Sequence, residues 1–128
     1  MGATTLELTE ANFEDTLKKG GILFIDFWAA WCGPCRAFAP TFEAAAGKHT
    51  DITFAKVDTE KEKGLAAAFE IRGIPTLAIF RDGIMLGQNA GALPAEALEK
   101  TIQQIRAIDM EKVKDEAAAA QAKQAKQG

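Results

Sequence analysis

Histidine and cysteine are nearly missing from this 128-residue chain: His49 stands alone, and Cys32 and Cys35 are the only cysteines. A tetrahedral zinc site wants four nitrogen or sulfur ligands, which one such chain cannot assemble, so no metal is expected. A dimer sharing one metal between two cysteine pairs is the remaining metal arrangement, and the single histidine argues against it. Positive charge is not in excess either. Fifteen Lys and Arg against 18 Asp and Glu leave a net charge of −3, which gives no electrostatic case for nucleic acid or an anionic membrane. Long apolar runs are also lacking. The longest, Ile22 to Trp31, is interrupted by Asp26 and too short to span a bilayer. Met1 to Thr5 lacks the basic and apolar segments of a secretory signal. A cytoplasmic monomer is expected, and two cysteines three apart in that compartment suggest catalysis or metal binding rather than a structural staple.

Internal repeats are absent, and the length suits one domain, over 1–116, able to bury roughly two-thirds of its unfolded surface. Residues 117–128, rich in alanine, glutamine and lysine, show no apolar face. They are expected as a tail that either extends the last helix or is disordered.

Along the chain, Thr5 to Leu8 reads as a short strand, and Thr9 as the N-cap of a helix from about Glu10 to Lys19. Ile22 to Trp28 has apolar residues on both alternating faces, as a strand covered on both sides does. A turn to Cys35 opens a helix running to about Ala46, with Pro34 in its first turn and Pro40 placed to kink it. Ile52 to Asp58 is the next strand, and Glu60 to Phe69 a modest helix weakened by Gly64. Leu77 to Phe80 follows Gly73-Ile74-Pro75-Thr76. Asp82-Gly83 signals a hairpin into an edge strand, Ile84 to Asn89. Pro94 opens a helix with the stripe Leu98, Ile102, Ile105 and Ile108. The order β-α-β-α-β-α-β-β-α implies an α/β fold: a central mixed, mostly parallel sheet flanked by helices on both faces.

The chemistry concentrates in Ile25 to Cys35. Cysteines at i and i+3 on a first helical turn share one face and are close enough to bridge. The free N–H groups and positive dipole end of that helix favour a thiolate, the form that attacks disulfides. Cys32 is thus the expected nucleophile, and Cys35, one turn deeper, the resolving thiol. Haem attachment would need His where Arg36 stands. Asp26, among Phe24, Trp28, Ile25 and Phe27, has little access to water. Its pKa is expected to rise toward neutrality, where it can accept and return a proton. Read alone, Lys56 is a solvated or snorkelling side chain, Trp28 packs against the helix, His49 is a surface loop residue and Gly91 a plain turn.

Asp26-Phe-Trp-Ala-Ala-Trp-Cys-Gly-Pro-Cys, followed by Pro40 and by Gly73-Ile74-Pro75-Thr76, resembles the thioredoxin family from about Leu6 to Ile108. The resemblance implies the thioredoxin fold and a general protein disulfide reductase. In it, Asp26 is the proton acceptor for Cys35, with Lys56 modulating that acid. Pro75 would be cis and lie beside the disulfide, leaving Ile74 backbone to pair with an incoming peptide. Trp31, Gly33, Pro34, Ile74, Gly91 and Ala92 match the family's flat substrate surface, and Gly33-Pro34 matches its reducing members. The implied partners are oxidised proteins and an NADPH-dependent flavoprotein, thioredoxin reductase, with no cofactor bound in this chain. A binding module whose docking is gated by the redox state is the rival reading. The tail beyond Met110 departs from the family's usual length.

Overall fold

The computed structural model describes residues 4–127, with side chains through residue 123; Met1 to Ala3 and Gly128, the outer ends of the two segments expected from sequence, lie outside the described residues. The elements are β1 (Leu6–Glu7), α1 (Phe13–Lys18), β2 (Ile22–Trp28), α2 (Gly33–Lys48), β3 (Thr53–Asp58), α3 (Lys63–Ala68), β4 (Thr76–Arg81), β5 (Ile84–Ala90), α4 (Ala95–Ala107) and α5 (Met110–Gln127). The five strands form one mixed sheet in the order β1-β3-β2-β4-β5. β1 and β2 pair with β3 in parallel, and β4 pairs antiparallel with β2 and β5, so four of the five strands point the same way and β4 alone is reversed. Alternation of helix and strand suggests crossovers but does not set the direction of β4, which α3 and the loop after it decide. The β4–β5 turn is the expected one. Asp82 and Gly83 take φ of 55° and 80°, the two positive values that a tight two-residue hairpin turn needs.

β2 is the centre of the molecule, and its period-2 alternation divides the core. Ile22 and Phe24 face α2 and α4, meeting Phe38, Phe42, Phe54, Leu98 and Ile102. Leu23, Ile25 and Phe27 face the other way, with Leu8, Val57, Leu65 and Phe80, and with Phe13 and Phe69 at the margin. Asp26 follows Ile22 and Phe24 in phase, so it continues the stripe on the α2 side.

Several element ends differ from the sequence reading, each for a local reason. Thr9 does not cap α1. Its N–H donates to Asn12 Oδ1 at 2.7 Å while Asn12 N–H donates to Thr9 Oγ1 at 3.3 Å, so residues 9–12 close a turn and the helix starts at Phe13. α3 starts late because Asp58 Oδ1 accepts the N–H groups of Glu60 and Lys61, at 2.9 and 3.3 Å, before the helix can claim them. His49 is no free surface residue. It ends α2 with its ring half-buried, Nε2 2.9 Å from Glu99 Oε1 and Nδ1 3.1 Å from Arg106. Arg106 also donates to both oxygens of Asp51, at 2.7 and 3.0 Å, tying α4 to the approach to β3. α4 ends at Ala107 and Ile108 turns to an extended conformation, so 110–127 form a helix separate from α4. Met110 is buried at its start, and Lys114 lies 3.4 Å from Asp82.

Candidate active site

β2 ends at Trp28, and a tight turn delivers the chain to α2: Cys32 N–H donates to the Ala29 carbonyl at 3.1 Å. Cys32 is the N-cap of α2, with extended backbone, and its Sγ accepts the Cys35 N–H at 3.2 Å. A sulfur here does what Ser or Asp does at other helix starts, satisfying an orphan donor. Pro34 costs no hydrogen bond in this first turn. Cys32 and Cys35 are joined as a disulfide, their Cα atoms 5.2 Å apart. Both are buried, at 4% and 2% exposure; what separates them is the N–H aimed at Cys32 sulfur, not access.

Two loops close around the disulfide. The Ile74–Pro75 peptide is cis, and the Ile74 carbonyl oxygen lies 3.7 Å from Cys32 Sγ. Ile74 and Trp28 pack on the cluster made by Ala29, Cys32 and Cys35. Thr76 Oγ1 donates to the Gly73 carbonyl, closing this loop before β4. Gly91 N–H donates to the Pro75 carbonyl at 2.7 Å, which brings the loop after β5 to the same place. Gly91 holds φ of +110°, a conformation that side chains disfavour, so it is more than the plain turn its residue type suggests. Ala92 follows it, exposed. Gly33 and Pro34 are exposed at the start of α2, and Trp31 is 68% exposed. Ile74 is thereby brought to the disulfide and Gly91 to the Pro75 loop, with Trp31, Gly33 and Pro34 on the turn that holds Cys32.

Beneath this surface Asp26 is fully buried, and neither carboxyl oxygen has a hydrogen-bond partner among the described residues. Burial pushes its pKa from 3.8 up to about 7; Lys56 pulls it down and Glu43 on α2 adds to the rise. Lys56 stands opposite Asp26 in the β2–β3 register. It is half-buried, its Nζ 5.1 Å from the centre of the Trp28 ring, so it is a held cation rather than a free one. Trp28, Lys56 and Asp58 line a cleft of about 200 Å³ with Thr5 to Glu7. The influence of Glu43 escapes sequence reasoning, since it depends on α2 crossing β2. Among the described residues no cluster of three or more His, Cys, Asp or Glu is placed to hold a metal.

A redox pair at a helix start beside a cis proline, over a buried acid, can make and break disulfides. The Thioredoxin family model matches residues 4–104. The chain belongs to the thioredoxin family. It is similar to putative thioredoxin 2 of Streptomyces coelicolor, with 46% identity over 119 residues, covering 93% of this chain and 89% of that one. Thioredoxin of Alicyclobacillus acidocaldarius is 39% identical over 102 residues, covering 79% and 97%. Among solved structures, a mutant thioredoxin from Halobacterium salinarum matches with a TM-score of 0.73 at 31% identity, over 81% of this chain and 93% of that one. The chain is therefore a protein-disulfide oxidoreductase working by dithiol/disulfide exchange at Cys32 and Cys35, as thioredoxins do. The Streptomyces alignment leaves at most nine of 128 residues unmatched, so it reaches into α5.

Proposed function

We propose that this thioredoxin-family chain works as a general reductase of protein disulfides. The observation that carries the reading is the Cys35 N–H held 3.2 Å from Cys32 Sγ at the start of α2. In the reduced protein that donor, with the positive end of the helix dipole, stabilises negative charge on Cys32 sulfur. The Cys32 thiolate attacks one sulfur of a substrate disulfide. The substrate S–S bond breaks, its other sulfur leaves as a thiolate and takes a proton, and a mixed disulfide forms. Asp26 accepts the proton of Cys35, as a carboxyl with a pKa of about 7 is suited to do. The Cys35 thiolate then attacks Cys32 sulfur and expels the second substrate thiolate. Two electrons have passed to the substrate, and Cys32–Cys35 is oxidised.

The flat surface of Trp31, Gly33, Pro34, Ile74, Gly91 and Ala92 docks the substrate, with Pro75 holding the loop beside the sulfur and Lys56 tempering Asp26. Thioredoxin reductase, drawing on NADPH through its flavin, returns the pair to the dithiol; this chain binds no cofactor of its own and acts as a monomer in the cytoplasm. No helix among the described residues is long and apolar enough to cross a membrane.

The test is turnover of insulin disulfides with dithiothreitol as electron source. Wild type should cycle many times, Cys32→Ser should not attack, and Cys35→Ser should trap a mixed disulfide. A wild type no faster than dithiothreitol alone would end the reading as a general reductase. A docking module gated by redox state would instead keep its partner in the Cys35→Ser variant without turnover.

A further inference from the structure

The turn that presents Trp31 is held by a side chain with no part in the exchange chemistry. The Cys32 N–H bond to the Ala29 carbonyl closes a β-turn whose middle residues are Ala30 and Trp31. The middle peptide of such a turn is the unit that reorients when the turn changes type, and its oxygen is the Ala30 carbonyl. Arg36 Nη1 donates to that oxygen at 2.7 Å. Arg36 belongs to the first turns of α2, where its own N–H donates to the Cys32 carbonyl at 3.2 Å. Its guanidinium folds back beside Gly33, where a Cβ would lie 4.0 Å from Nη2. The bond thus runs from the helix that carries the cysteines to the loop that precedes them.

Trp31 is 68% exposed, so core packing does not fix its ring; the backbone beneath it does. Arg36 is exposed as well, and its hydrogen bond serves no buried group. Its effect is on the geometry of the turn.

We propose that Arg36 is a positioning residue for substrate docking: by holding the Ala30 carbonyl it presets the 29–32 turn, and with it the place of Trp31 beside Cys32. The inference rests on the docking surface proposed above. A preset surface saves ordering on binding, so the benefit belongs to KM for a protein substrate rather than to kcat. A small disulfide that does not reach Trp31 gains nothing from it.

The experiment compares wild type with Arg36→Met, which keeps the length of the side chain and loses every donor, and with Arg36→Lys and Trp31→Ala. Substrates are insulin and the small, uncharged bis(2-hydroxyethyl) disulfide. NMR of the oxidised proteins follows the Ala30 carbonyl carbon and the order of the Trp31 ring. In Arg36→Met the Ala30 resonance should move, Trp31 order should fall, and KM for insulin should rise about three- to tenfold at unchanged kcat, the size of one charge-assisted hydrogen bond in part screened by water. The small disulfide should react as before. An Ala30 resonance and Trp31 order that match wild type would overturn the proposal. So would an equal loss with both disulfides that Arg36→Lys restores, since that assigns Arg36 to the charge on Cys32. If Trp31→Ala leaves KM for insulin unchanged, the docking surface itself is wrong, a result separable from the NMR arm and equally fatal to the proposed role.

Discussion

Asp26 makes the fold less stable as the pH rises, and the sign follows from its burial. The unfolded chain ionises it near 3.8, the native protein near 7, because the buried carboxylate has lost its water. Below about pH 4 the group is protonated in both states. As pH climbs from 4 to 7 the unfolded state ionises first, so its contribution to stability falls and then levels off above 7. The drop is on the order of 4 kcal/mol at 1.36 kcal/mol per unit. Asp26→Asn keeps the shape and removes the charge. We expect urea unfolding of the oxidised variant to match wild type at pH 4 and to exceed it by roughly 2–4 kcal/mol at pH 8. Parallel stability curves for the two proteins would show that Asp26 is not the titrating group. The same burial gives the residue its proposed use, since a carboxyl poised near neutrality can take a thiol proton and give it back.

At the scale of the element, α2 joins stability to chemistry. Its first turn holds the disulfide, and Phe38, Phe42, Ala45 and Ala46 on later turns seat it on the sheet. Phe42 is fully buried, with its ring centre 5.2 Å from that of Phe54 on β3. Phe42→Ala should cost about 3–5 kcal/mol by leaving a cavity between helix and sheet, read as a lower urea midpoint at unchanged slope. A loss under 1 kcal/mol would mean that the helix resettles onto the sheet. Pro40 interrupts the ladder inside this helix, removing the N–H that would meet the Arg36 carbonyl, yet the helix runs on to Lys48. The sequence located α2 well because Pro34 and Cys35 mark its first turn. It located α1 and α3 less well because side chains of Asn12 and Asp58 compete for the backbone at their starts.

For the molecule as a whole, α5 is held at its N-terminal end. Its first turns are tied down by Met110, Val113 and the Lys114 pair with Asp82, while residues 118–123 are exposed. Removing 117–128 should leave insulin turnover unchanged and shift the melting temperature by no more than about 2 °C, as expected when none of the described residues lost is buried. A clear fall in turnover with insulin, at normal reactivity toward a small disulfide, would give the tail a part in docking.

The sequence by itself determined the chemistry: two cysteines one helical turn apart, a proline between them, and an acid in the middle of an apolar strand. Those signals are local, set by spacing along one segment. It also determined the hairpin at Asp82-Gly83, because only a few residue types accept two positive φ values in succession. The tertiary structure decided everything that depends on segments distant in sequence. It set β4 antiparallel to β2, brought the Ile74 carbonyl and the Gly91 N–H to the disulfide loop, and placed Lys56 and Glu43 where their charges act on Asp26. It also put His49 between Glu99 and Arg106. Apart from the family resemblance, none of these has a signature within its own segment, because each is a contact made only when helices and strands far apart in the chain pack on the same central strand.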